Sequence, residues 1–266
     1  MPELNRRCAR SLILAFATIA PIATVLLWPV HPVIALVPLF VSHLLILYPT
    51  LVPQSQWWGP VLRSFETSAR EVWLTIDDGP SQHTAKILDL LDTYDARATF
   101  FIVGRRASPD ALEAIRARGH TLANHTFTHP RGSFWCALPR QLEREVDSCE
   151  NVLGPPASAA HYFRAPVGMK NCFLHPALKK RGMQLIGWTV RGFDSWRRNP
   201  AAVAGRITKD SHPGAIILLH EGLTSSEDAE FSVQCIELTL RALRERGYRC
   251  VIPTAGQLRA RLPRSG

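Results

Sequence analysis

No Asp, Glu, Lys or Arg occurs between Ser11 and Leu62. This apolar head constrains the chain more than any other feature. A single helix from Ser11 to Val52 would run roughly 63 Å at about 1.5 Å per residue, about twice the thickness of a hydrocarbon core. Pro29 and Pro32, within Trp28-Pro-Val-His-Pro32, lack amide donors and interrupt such a helix. The expectation is a two-helix membrane hairpin over residues 1–53, with spans at 11–28 and 33–52 and a tight turn between them. Trp28, Tyr48, Trp57 and Trp58 stand where interfacial aromatics belong. A cleaved signal peptide accounts for the Arg-flanked first segment but not for the second. A signal peptide with one anchor and a re-entrant hairpin are the competing arrangements.

The rest of the chain has a different composition. Only Glu3, Arg6, Arg7 and Arg10 are charged in residues 1–53, so nearly all of the charge lies in a soluble-type body. A hairpin returns that body to the side on which the chain begins. Arg6, Arg7 and Arg10 precede the first span, Arg63 and Arg70 follow the second, and the turn has no Lys or Arg, which predicts both ends in the cytoplasm of an inner-membrane protein. The formal charge is +9, carried by 26 Arg and 5 Lys, a balance suited to phosphate or carboxylate. No zinc-finger spacing, RNP-like aromatic box or long basic run is present, so nucleic acid is not an expected partner, and anionic lipid head groups or a phosphorylated substrate fit better. Arg259, Arg261 and Arg264 form a basic tail at 259–266. Cys8, Cys136, Cys149, Cys172, Cys235 and Cys250 contain no C-x-x-C pair and read as reduced thiols, mostly in or near the core.

After a juxtamembrane connector at 54–70, residues 71–258 alternate between strand and helix patterns. Strands are expected at 71–77, 98–104, 121–124, 161–164, 184–190, 215–220 and 248–252. Helices are expected at 81–94, 109–118, 140–153, 176–181, 200–209 and 228–246, three of them followed by Gly119, Gly182 and Gly247. Repeated βα units predict a largely parallel sheet or barrel under a layer of helices.

Polar residues gather where these strands end: Asp77-Asp78-Gly79, His125-Thr-Phe-Thr-His129, Arg164-Ala-Pro-Val-Gly168, Asp194 and His220. In an α/β barrel those ends share one face. Two His four residues apart can bind one metal with a nearby carboxylate as third ligand, leaving a position open for water. Of two adjacent carboxylates, one can hold the metal while the other takes a proton from water. A His across the site can protonate a leaving group, and an Arg can orient the base. The pattern suits metal-assisted hydrolysis of an acyl group. Singly, each motif has a structural reading: a turn for Asp-Asp-Gly, a solvated face for the His pair, a cap for Arg164, a core histidine for His220. Their order and spacing are far more specific.

In that order the motifs resemble those of the polysaccharide deacetylase (NodB-homology) family, carbohydrate esterase family 4, over residues 71–258. The resemblance implies a distorted (β/α) barrel that removes acyl groups from amino sugars or polysaccharides with a divalent metal, most often Zn2+. It implies Asp77 as general base, Asp78, His125 and His129 as metal ligands, His220 as general acid and Arg164 as the group orienting Asp77. The backbone amide of Val167 would help hold the oxyanion. Three departures stand out. Ile76 replaces a common Phe, Val167 replaces a frequent Tyr, and Arg191 replaces the first acid of Asp-x-x-Asp-Trp, here Arg191-Gly-Phe-Asp194-Ser195-Trp196. Either Asp194 takes over the tuning of His220, or His220 titrates differently. Arg191 and Trp196 are candidate substrate-binding residues, Arg191 for a phosphate or carboxylate. With the site tethered near a bilayer, an acylated amino sugar on a lipid is easier to reach than an external polymer. O-acetyl ester cleavage and a catalytically silent binding protein are the alternative functions.

Overall fold

The computed structural model describes residues 3–155, 161–196, 199–221 and 226–259. The Arg261 and Arg264 of the basic tail lie outside them. The apolar head forms α1 (Glu3–Leu27) and α2 (Pro32–Leu51), packed against each other. Pro32 opens α2, where its missing amide costs nothing, and His31 caps the helix by accepting from the Ile34 N–H at 3.4 Å. Ala9–Leu27 and Pro32–Leu51 are long and apolar enough to cross a membrane. Leu12, Ile22, Val25, Val33, Phe40 and Leu44 point outward from the protein.

The body is a curled parallel sheet with helices outside it. Its strands are β1 (Glu71–Gly79), β2 (Ala98–Ile102), β3 (Thr121–Asn124), β4 (Tyr162–Phe163), β5 (Gln184–Leu185), β6 (Val190–Arg191), β7 (Ala215–His220) and β8 (Arg249–Cys250). They run in the order β5-β4-β3-β2-β1-β7-β6, and β8 pairs with the start of β1. The helices are α3 (Thr84–Thr93), α4 (Pro109–Ala117), α5 (Pro139–Leu153), α6 (Leu174–Lys180), α7 (Pro200–Asp210), α8 (Ser226–Glu245) and the short α9 (Ala255–Arg259). This is the expected distorted barrel.

One expected strand, 184–190, is broken into β5 and β6. The cause is Arg164, whose buried guanidinium takes the Ile186 and Gly187 carbonyls at 3.3 and 2.9 Å and draws them out of the ladder. The connector fills the gap. Leu62 pairs with Ile186 and Ser64 with Ala215, while Val61, Leu62 and Phe65 are buried in the core. Residues before β1 therefore close the barrel wall rather than merely leading to it.

Period-two alternation sorts the core. Val72, Leu74 and Ile76 face the helices, while Trp73 packs inside the barrel with Phe101, Tyr162, Ile216 and Leu218. The end of α2 is docked onto the same body. Lys170, itself buried, donates from Nζ to the Val52 and Pro53 carbonyls at 3.0 and 2.9 Å. Gln54 donates to the Trp188 carbonyl at 2.7 Å. Trp58 is no interfacial anchor: it is buried, with its indole N–H donating to Thr50 at 3.0 Å. Arg70 is exposed and donates to the Arg246 carbonyl of the body at 2.8 Å. The described cysteines Cys136, Cys149, Cys172, Cys235 and Cys250 are free thiols; Cys149, Cys235 and Cys250 are buried, whereas Cys136 is exposed.

Candidate active site

Along β1 the alternation that turns Trp73 inward also aims Asp77 into the barrel mouth. A regular strand would send Asp78 the opposite way. Instead the pairing with β2 shifts register between Asp77 and Gly79, and Asp78 takes a positive φ of 71°. That kink brings two consecutive carboxylates to one pocket. Backbone strain gathers around the same place: of the six non-glycine residues with positive φ among the described residues, Asp78, Thr126, His129, Val167 and Phe193 lie at the site, and Asp95 is remote. Conformations of this kind cost on the order of 1–3 kcal/mol each and persist where the surroundings enforce them.

The pocket has a volume of about 110 Å³ and is lined by Asp77, Asp78, His125, His129, Arg191 and His220 among others. Asp77 is buried, with Oδ1 receiving a hydrogen bond from Arg164 Nη1 at 2.6 Å and Oδ2 lying 3.6 Å from His125 Nε2. Arg164 is fully enclosed and also donates to Thr75 Oγ1 at 2.7 Å, its plane 4.1 Å from the Phe101 ring. Burial lowers the Arg164 pKa, and the Asp77 charge opposes that shift.

Asp78, His125 and His129 place one ligand atom each within 4.8 Å of one another. Asp78 Oδ1 is buried without a hydrogen-bond partner, 3.5 Å from His125 Nε2 and 3.2 Å from His129 Nε2. His125 Nδ1 lies 2.9 Å from the Arg164 carbonyl; donating to it leaves Nε2 with its lone pair toward Asp78. Burial, with the His125 charge, pushes the His129 pKa down to about 3, which keeps that ring neutral. Burial acts to raise the Asp78 pKa, yet His125, His129 and His220 hold it well below the usual carboxylate range. An orphaned carboxylate oxygen facing two imidazole nitrogens suits a divalent metal, and the donor set suits zinc. Arg131 donates to Asp78 Oδ2 at 2.9 Å and to His129 Nδ1 at 3.2 Å. Ligation through His129 Nε2 would put the ring proton on Nδ1, so Arg131 would have to leave that nitrogen while keeping Asp78.

Across the pocket, β7 carries His220 on the face it shares with Ile216 and Leu218. Asp194 accepts from the His220 backbone N–H at 2.7 Å and from Nδ1 at 3.0 Å. Burial disfavours the charged ring, but the charge and hydrogen bond of Asp194, with Asp78 and Asp77, push the His220 pKa up to about 9. Asp194 thus holds the histidine although Arg191 stands where an acid was expected. Val167 sits at φ 54°, a strained geometry for a β-branched residue. The turn around it closes through the Gly168 and Met169 amides on the Ala165 and Pro166 carbonyls, at 2.8 and 3.1 Å, and does not use the Val167 N–H. Trp196 stands 84% exposed on the pocket rim.

The site has supports that its motifs do not announce. Glu145 of α5 accepts from the Thr128 N–H and hydroxyl at 2.8 and 2.7 Å. Glu150, farther along the helix, accepts from Asn124 at 2.7 Å, and Asn124 accepts from the Thr126 N–H at 2.9 Å. Both acids brace the His125–His129 turn. Glu221 lies under the Asp77–Gly79 bend, its N–H donating to the Asp77 carbonyl at 2.9 Å, and burial pushes its carboxyl up to about 8. A Cβ on Gly79 would come within 2.0 Å of Glu221 Oε1, which explains the glycine there. Their only sequence signal is an acidic i, i+5 spacing on α5 and a Glu beside His220.

The polysaccharide deacetylase family model matches residues 65–186. A chitooligosaccharide deacetylase of Sinorhizobium fredii is 34% identical over 194 residues, covering 68% of this chain and 89% of the relative. Among solved structures, a peptidoglycan N-acetylglucosamine deacetylase superposes with a TM-score of 0.63 at 27% identity, over 71% of this chain and 88% of the other. A family 4 carbohydrate esterase from Streptomyces lividans, in complex with acetate, gives 0.61 at 25% identity, over 71% and 95%.

Proposed function

The chain belongs to the polysaccharide deacetylase family, and from that membership and the site's geometry we propose that it is a metal-dependent deacylase that removes an N-acetyl or N-formyl group from an amino sugar at a membrane surface. The observation that carries the reading is the pairing of two devices across one pocket: Asp77 locked by buried Arg164, and His220 locked by Asp194. Relatives named for chitooligosaccharides and for peptidoglycan N-acetylglucosamine support an acetylated amino sugar as substrate.

Asp78, His125 and His129 would hold the metal, which when bound polarises an acyl oxygen and acidifies water. Asp77 accepts the proton of the attacking water on Oδ2, the oxygen that Arg164 leaves open. Negative charge developing on the acyl oxygen would meet the N–H of Val167, which lines the pocket and whose amide its own turn does not use. His220 enters the reaction protonated and passes its Nε2 proton to the departing amine, while Asp194 stabilises the ring through Nδ1. The carboxylic acid and the free amine leave as products.

Two apolar helices, Arg6, Arg7 and Arg10 before them, and the docking of α2 on the barrel support a membrane-anchored enzyme with its site on the cytoplasmic face. A lipid-linked acylated sugar is the substrate form that such an anchor brings within reach. The test is acetate and amine release by the full-length protein in detergent, with and without chelator. Release that stops on metal removal and falls about 10²–10⁴-fold in Asp77→Asn is the expected result. Acid release without a new amine would instead identify an esterase. No release from any acylated sugar, with no metal retained, would sink the proposal.

A further inference from the structure

Among the described residues the Arg191 side chain makes no hydrogen bond and no ion pair, and its Nε is buried without a partner. It stands on β6, paired with Leu218 of β7, so its backbone is fixed two residues before His220 on the neighbouring strand. Its guanidinium carbon lies 4.3 Å from the centre of the Phe193 ring and 5.5 Å from that of Trp188, between two aromatic walls that hold it at the pocket edge. Arg206 approaches the Phe193 ring as well, at 4.7 Å, so this corner gathers positive charge.

The nearby acids are already engaged. Asp77 gives Oδ1 to Arg164 and turns Oδ2 toward His125. Asp194 spends both oxygens on His220, Oδ2 on the backbone N–H and Oδ1 on Nδ1. A half-buried guanidinium with idle donors is costly unless something else accepts from it. The planar fork of an arginine, immobilised by stacking, is pre-organised for a phosphate or carboxylate. Ser195 and Trp196 share the same rim and offer a hydroxyl and an aromatic face to the sugar that would carry the anion.

We propose that Arg191 forms an anion subsite beside the catalytic pocket, taking a phosphate or carboxylate borne by the acylated sugar. The proposal rests on the deacylase reading for what the anion is attached to, and on geometry alone for the subsite itself. It makes the enzyme selective for charged acylated amino sugars over neutral chitooligosaccharides.

Two measurements on the full-length protein test it. In the first, kcat/KM is compared for N-acetylglucosamine-1-phosphate, N-acetylmuramic acid and neutral triacetylchitotriose. The ratio of one anionic probe to the neutral one should fall about tenfold in Arg191→Gln and be partly kept in Arg191→Lys. Whichever anionic probe loses more identifies phosphate or carboxylate. An equal loss on charged and neutral probes, or an unchanged ratio, overturns the subsite. In the second, wild-type protein stripped of metal is treated with phenylglyoxal, and modification of Arg191 is followed by mass spectrometry with and without methyl phosphate or propionate. Slowing by either anion supports the subsite; an unchanged rate with both overturns it. This readout needs neither a stable variant nor turnover, so it decides the subsite even if no acylated sugar is hydrolysed.

Discussion

At the scale of single residues, the pocket gives two similar carboxylates different neighbours. Asp77 is tied to a fixed cation, and Asp78 faces two imidazoles with one oxygen left unbonded. His220 is held charged by Asp194, and its pKa of about 9 sets a limit on alkaline activity. Because the proposed acid role needs the protonated ring, activity should persist to about pH 9 and then fall; Asp194→Asn should move that limb toward neutrality, read from a kcat profile. The sign for stability follows. A folded-state pKa raised above the ordinary 6.5 stabilises the protein fully below pH 6.5, and that contribution fades as pH rises toward about 9. Melting temperatures across that range should decline in the wild type and change less in His220→Gln. The convergence of Asp77, Asp78, His125, His129, Arg164 and His220 on one pocket was legible in the order of the motifs along the strands. The kink at Asp78 was not, since positive φ at a non-glycine residue comes from the tertiary setting.

Among the elements, α5 is the one that the motifs overlook. Its position between β3 and β4 puts Glu145 and Glu150 behind the His125–His129 turn, where they accept from Thr128 and Asn124. Replacing Glu145 by Ala should loosen the turn and lower metal affinity about 10–100-fold, the usual consequence of losing a group that orients ligands. Competition with a chelator measures this directly, and an unchanged affinity would show that the turn holds its shape alone. Apolar periodicity predicted the helices and the longer strands closely: the bounds of β3 and β7 match the expectation, and α4 ends one residue early. It failed at 184–190, because Arg164, twenty residues earlier in sequence, reroutes those carbonyls. A long-range polar contact of that kind leaves no mark on local hydrophobicity.

For the whole molecule, the division into an apolar head and a charged barrel was visible in composition, whereas the seam between them was not. Lys170 read as an ordinary basic residue after the Arg164–Gly168 motif, yet it is buried and bonded to the end of α2. Burial lowers its pKa to about 8. Reporter domains fused after residue 266 should signal from the cytoplasm if the positive-inside pattern governs insertion; a periplasmic signal would redirect the search toward envelope polymers.

The seam also bears on how this protein can be handled. A biochemist wishing to avoid detergent would cut the chain near residue 53 and express the barrel alone. That cut removes the two carbonyls to which Lys170 donates and leaves an ammonium group enclosed in protein. The shortened barrel should therefore melt lower than the full chain, and Lys170→Met should raise the melting temperature of the fragment while lowering that of the intact protein. A barrel fragment would need its lysine removed along with the two apolar helices.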